Sequence, residues 1–153
     1  MRRRLFLMAV ALSVTSNIVW AGDTTKNTAI HLGGTIGLFS GMPGTLTADG
    51  DGLVFSPTSR AVSVRIAYDA ITAIEYGPQP SQRVPVAVLA SKNRNAQYLT
   101  VNWMDNGKEQ AVVFDMSLSK DSASATLATL EAKSGKSVGH AAPADSRHAA
   151  GTR

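Results

Sequence analysis

Asn106-Gly107 stands between two runs of alternating character, YLTVNWMD and KEQAVVFD, and no other feature limits the fold as much. Asn-Gly is the preferred pair for a two-residue hairpin turn, because both positions tolerate the positive φ that matches strand twist. Such a turn pairs Asp105 with Lys108, and so Leu99 with Phe114, Val101 with Val112 and Trp103 with Gln110. All of these except Gln110 and the turn-flanking pair are large and apolar, and they share one face. A slip by one residue would set Leu99 against Asp115, which the alternation disfavours. Turn chemistry and hydrophobic pattern therefore specify the same hairpin.

Shorter runs with the same period precede it. GTLTA leads through Asp49-Gly50-Asp51-Gly52 into LVFS, the composition of a tight turn between two strands. AVSVRIA predicts a strand with Val62, Val64 and Ile66 inward. ITAIEYG places Ile74 and Tyr76 on one face, and VPVAVLAS groups Val84, Val86 and Val88 behind Pro85, which suits an edge strand over Val84 to Ala90. The last element has helical spacing. Ser119 is placed as N-cap, Asp121 sits in the first turn, Ala123, Leu127 and Leu130 form an apolar stripe, Lys133 lies in the last turn and Gly135 is the stop. From Gly44 onward this is seven strands and one C-terminal helix.

The ends differ from this middle. Residues 22–43 are Gly- and Thr-rich, and the glycines at 33, 34, 37, 41 and 44 argue against sustained helix, so a lead-in arm with at most one short strand is expected. Residues 139–153 are small and polar, the composition of a disordered tail. At the start, Arg2, Arg3 and Arg4 precede an apolar run that ends on Val19-Trp20-Ala21. That layout predicts a secretory signal over residues 1–21, cut after Ala21. Read instead as a membrane anchor, the run falls short of the ~20 apolar residues that span a bilayer. The chain is thus expected to be exported, periplasmic or secreted, and not an integral membrane protein once the signal is removed.

Charge and cysteine content narrow the function. The chain has no cysteine, so a mature domain of roughly 130 residues must rest on one ordinary hydrophobic core with no disulfide framework. Fifteen Lys and Arg oppose eleven Asp and Glu, but three arginines belong to the signal, leaving 12 − 11, or +1. A near-neutral domain lacks the basic footprint that nucleic acid demands.

Chemical motifs are sparse. His31, His140 and His148 have no metal-ligand spacing. LFSGMPG lacks the first glycine of a nucleophile elbow. Asp49 and Asp51 have the spacing of the first two calcium-loop ligands, but Arg60 stands at the twelfth position, where an acid belongs. Gly33-Gly34-Thr35-Ile36-Gly37 lacks a phosphate-loop lysine, and Asp69 and Glu75 do not form a carboxylate pair. No catalytic residue, cofactor or metal site is therefore expected. Trp103 and Tyr76 could line a groove, although the pattern puts Trp103 with the core residues Leu99 and Val101. Arg83, Lys92 and Arg94 form a loose basic loop cluster, the candidate partner-binding loop.

The stretches GDGLVFSP, IAYDAITAIEYG and YLTVNWMDNGKEQAVVFDM followed by ATLATLEAKSGK together resemble the bacterial pleckstrin-homology-like (PH-like, GRAM-like) domains. The resemblance covers about Gly44 to Val138. It implies a mainly β fold with one C-terminal α-helix: a PH-like seven-stranded antiparallel barrel or sandwich capped by the helix over residues 44–138. It also implies a binding or scaffold role without catalysis, toward a protein or peptide surface in the cell envelope, or alternatively toward envelope lipid. The loop that carries basic residues in lipid-binding relatives is Asp49-Gly50-Asp51-Gly52 here, and it is acidic. A small hydrolase is the remaining, weaker reading.

Overall fold

A computed structural model describes residues 24–81 and 95–140. The signal-like segment, VPVAVLAS, Arg83, Lys92, Arg94 and His148 lie outside the described residues. The chain forms β1 (Thr25–Gly34), β2 (Met42–Ala48), β3 (Gly52–Pro57), β4 (Val64–Ala67), β5 (Ile71–Gly77), β6 (Tyr98–Asp105), β7 (Lys108–Asp115), α1 (Lys120–Ser134) and a short β8 (Val138–His140). The first strand corrects the lead-in arm: β1 is ten residues long and pairs with β2 on one side and β7 on the other. Its inward residues are Asn27, Ala29 and His31, all buried. None of the three is a strong apolar signal, so the alternation was invisible by hydropathy. At the other end β8 pairs in parallel with β5, so the segment after Ser137 is ordered as far as His140.

The strands make one eight-stranded sheet in the order β4-β3-β2-β1-β7-β6-β5-β8. Two antiparallel meanders, β1 to β4 and β5 to β7, are joined through the β1–β7 pair. A flat sheet is impossible. In a flat sheet β4 and β5 would stand six strand spacings, or ~29 Å, apart. The link between them is the single 3-10 turn Tyr68–Ala70, whose Cα path spans at most ~15 Å. The sheet must therefore curl until its β4 edge approaches β5. Tyr68 pins that corner, donating its hydroxyl to the Asp49 carbonyl at 2.7 Å. Burial, with the Asp49 charge beside it, raises the Tyr68 hydroxyl above its ordinary pKa.

The β6–β7 hairpin has the register derived from its turn, with Leu99 on Phe114, Val101 on Val112, Trp103 on Gln110 and Asp105 on Lys108. Asn106 and Gly107 take φ of 50° and 77°, as the primed turn requires. The curled sheet encloses Leu46, Leu53, Phe55, Ile66, Ile74, Leu99, Val101, Val112 and Phe114. Its outer face over β1, β6 and β7 holds a second buried cluster of Leu32, Ala96, Tyr98, Ala111 and Val113.

Helix α1 closes the core with Ala123 and Leu130 fully buried and Leu127 partly so. Gly135, at φ 67°, stops it. Ser119 occupies the N-cap position but makes no cap bond. Its hydroxyl instead accepts from the Thr28 amide (2.8 Å) and donates to the Thr28 carbonyl (3.0 Å), tying the helix start to β1. A buried polar seam continues that junction. The Asn27 amide donates to Thr126 Oγ1, Ser122 Oγ donates to Asn27 Oδ1, and Thr126 shares a 2.9 Å hydrogen bond with Thr25. The helix is thus docked by hydrogen bonds as much as by its narrow apolar stripe.

Candidate functional site

The β1–β2, β3–β4 and β6–β7 connections emerge at one end of the sheet, since Gly34 faces Val112, His31 faces Met42 and Gly44 faces Pro57. Between the β4 edge and the β6–β7 turn lies an open cleft of about 590 Å³. Its apolar lining is Ile36, Val64, Trp103 and Met104, and its polar lining includes Arg65, Asp105 and Gln110. The volume falls in the range of ligand pockets, ~300–1,000 Å³. Trp103 serves two purposes. It is only 7% exposed and belongs to the core, as its pattern required, yet it also forms part of the cleft wall.

Large apolar side chains stand exposed beside this cleft. Val62 is 66% exposed, Met104 43% and Phe39 67%. Val62 corrects the expectation that AVSVRIA is one strand with Val62 inward: β4 begins only at Val64. Phe39 and Arg60 bring two loops together, the Arg60 guanidinium carbon lying 4.8 Å from the Phe39 ring centre. Contiguous exposed apolar surface of this kind marks interaction sites more often than chance solvent contact.

The charged groups here are mostly engaged. Arg65 makes a bidentate pair with Asp49, Nη1–Oδ1 at 3.2 Å and Nη2–Oδ2 at 3.1 Å. Asp49 Oδ1 also accepts the amides of Asp51 and Gly52, closing the β2–β3 turn. Partial burial alone would raise the Asp49 carboxyl, but the two amides and the guanidinium outweigh it and hold it below its ordinary pKa. Asp49 is a turn-closing residue, which accounts for the Asp-Gly-Asp-Gly pattern without a cation. Asp105 accepts from the Asn106 side-chain amide at 2.9 Å.

His31 sits inside the molecule, against the Phe55 and Phe114 rings. Its Nδ1–H donates to the Phe39 carbonyl at 3.0 Å, while Nε2 is buried with no hydrogen-bond partner. Burial lowers its pKa; backbone hydrogen bonds to Phe39 and Gly33 pull weakly the other way. His140 lies on β8 and Glu75 on β5, and among the described residues no three His, Asp or Glu side chains stand close enough to share a metal ion. Also among them, no helix is long and apolar enough to cross a membrane.

Sequence reasoning looked for a partner at Arg83, Lys92 and Arg94 and for a sheet edge at Val84 to Ala90, all outside the described residues. The described sheet ends on β4 and β8. The cleft beside β4 gave no local signal, because its walls come from four separate stretches of chain. No protein-family model matches this chain, and a search of curated proteins finds no match.

Proposed function

We infer that this chain is an exported, non-catalytic PH-like binding or scaffold domain that recognises a protein or peptide surface in the cell envelope. The observation that carries the reading is the open cleft between β4 and the β6–β7 turn, with Val62 and Met104 exposed beside it. A four-strand meander, a three-strand meander and a closing helix support the PH-like order. The secretory layout of residues 1–21 supports export. In-cell crosslinking from a photoreactive residue at position 62 or 104, with position 133 on the outer face of α1 as control, tests the reading. A discrete adduct from the first two positions alone is expected. Equal adducts at Lys133, or none from the cleft, would sink it.

One observation favours envelope lipid instead. Phe39 is exposed and carries Arg60 over its ring, a combination that can enter a headgroup layer. Sedimentation with anionic vesicles that is lost in Phe39→Ser would put lipid first. Sedimentation indifferent to that change would remove it.

A further inference from the structure

The two edges of the sheet are treated differently. The β5 edge is covered over Ile74–Tyr76 by the chain's own β8. The β4 edge pairs with β3 alone and borders the cleft. The direction of its backbone groups follows from the neighbouring ladder. The Asp49 amide donates to the Gly52 carbonyl, so Gly52 and, by alternation, Val54 point their groups toward β2. Leu53 and Phe55 then point toward β4, which makes Leu53–Ile66 and Phe55–Val64 the hydrogen-bonded pairs. Arg65 directs both its N–H and C=O away from β3, and Ala67 directs its N–H the same way. No backbone partner meets these groups among the described residues. They form a short, exposed ladder with an apolar cleft along its inner side.

We propose that the β4 edge receives an extended peptide strand of the partner, hydrogen-bonded to the outward groups of Arg65 and Ala67, with alternate side chains entering the cleft. This deepens, and rests on, the protein-surface reading above. The chemistry of the occupant follows from the two faces of β4. Val64 and Ile66 face inward, so residues of the added strand on that side meet Val64, Ile36, Trp103 and Met104 and must be apolar. Residues on the other side lie beside the exposed Arg65 guanidinium, which favours an acid or a hydroxyl there. The ligand is therefore an alternating apolar/acidic or apolar/hydroxyl segment, and β4 offers room for about four of its residues.

Ala67 provides a clean test. Its φ is −67°, the value proline fixes, and its N–H points away from β3. Ala67→Pro thus removes one outward donor while leaving the β3–β4 ladder intact. A phage library of ten-residue peptides, alternating apolar with acidic or hydroxyl residues, is selected on the folded chain. Selected peptides are then measured on Ala67→Pro and on Met104→Ser. The expected result is enrichment of such peptides with at least tenfold weaker binding to both variants. Peptides weakened by Met104→Ser but bound equally by Ala67→Pro would overturn the strand-addition proposal and leave the surface reading standing. No enrichment at all would overturn both. If Ala67→Pro fails to melt cooperatively, N-methylation of the selected peptide replaces it. Methyl groups at alternate residues should cost tenfold or more in one phase of the alternation and little in the other, and indifference in both phases overturns the proposal.

Discussion

At the residue scale the most constrained side chain is His31. With Nδ1–H held by the Phe39 carbonyl, Nε2 is a buried lone pair, and protonating it would put a charge between two phenylalanine rings. The folded pKa is lowered, so below the ordinary value of 6.5 the unfolded chain binds a proton that the folded chain refuses. Stability is therefore complete above that pH and falls as pH drops through it. Melting temperature should decline between pH 7 and pH 5, and His31→Leu should flatten that decline. A profile equally steep in the variant would locate the effect elsewhere. Asp49, also held below its ordinary pKa of 3.8, loses its contribution only at lower pH, so the two are separable. Gly34 is constrained by space as well as by its φ of 137°: a Cβ there would lie 2.2 Å from the Ala111 carbonyl oxygen. Gly34→Ala is expected to cost ~3 kcal/mol or more, read by urea denaturation, because two strand backbones would have to part.

At the scale of elements, α1 has too narrow an apolar stripe to be held by burial alone. Leu130 is fully buried, and Leu130→Ala should cost ~2–5 kcal/mol. The polar seam makes a sharper prediction. Thr126→Val keeps the shape but removes the hydroxyl that accepts from the Asn27 amide, leaving a buried donor unpaired. We expect a loss of ~1–3 kcal/mol in denaturant unfolding. A neutral substitution would mean the helix is docked by its apolar contacts alone. The β6–β7 hairpin differs in kind: its register is local, specified by a turn and a pattern a few residues apart, and it was legible without any knowledge of the rest of the fold.

At the scale of the molecule, β1 is the join between the two meanders. Without it β2 loses its partner, and so does β7, and the curled sheet falls into two halves. A fragment of residues 44–138, the domain that hydropathy delimits, should therefore show no cooperative thermal transition by far-UV circular dichroism. A fragment of residues 24–140 should show one. Cooperative melting of the shorter fragment would demote β1 to an accessory strand. The same curl creates the cleft, because the three-residue link Tyr68–Ala70 brings β4 near the start of β5 without pairing them.

The sequence by itself determined whatever depended on neighbours in the chain. The Asn106-Gly107 turn and its flanking alternation specified one hairpin register, and Asp49 with its glycines specified another turn. Helical spacing from Ala123 to Leu130 placed the closing helix, and missed only that Thr126 is buried and that Ser119 spends its hydroxyl on Thr28. Tertiary structure decided the rest, for a physical reason that recurs. Asn27 and His31 enter the interior because partners almost a hundred residues away, or a carbonyl in a returning loop, satisfy them; hydropathy sees only their polarity. Val62 is left outside because β4 starts two residues later than its alternation suggests. The cleft and the open β4 edge exist only once the sheet has curled, and curl belongs to the ladder as a whole and to no segment within it.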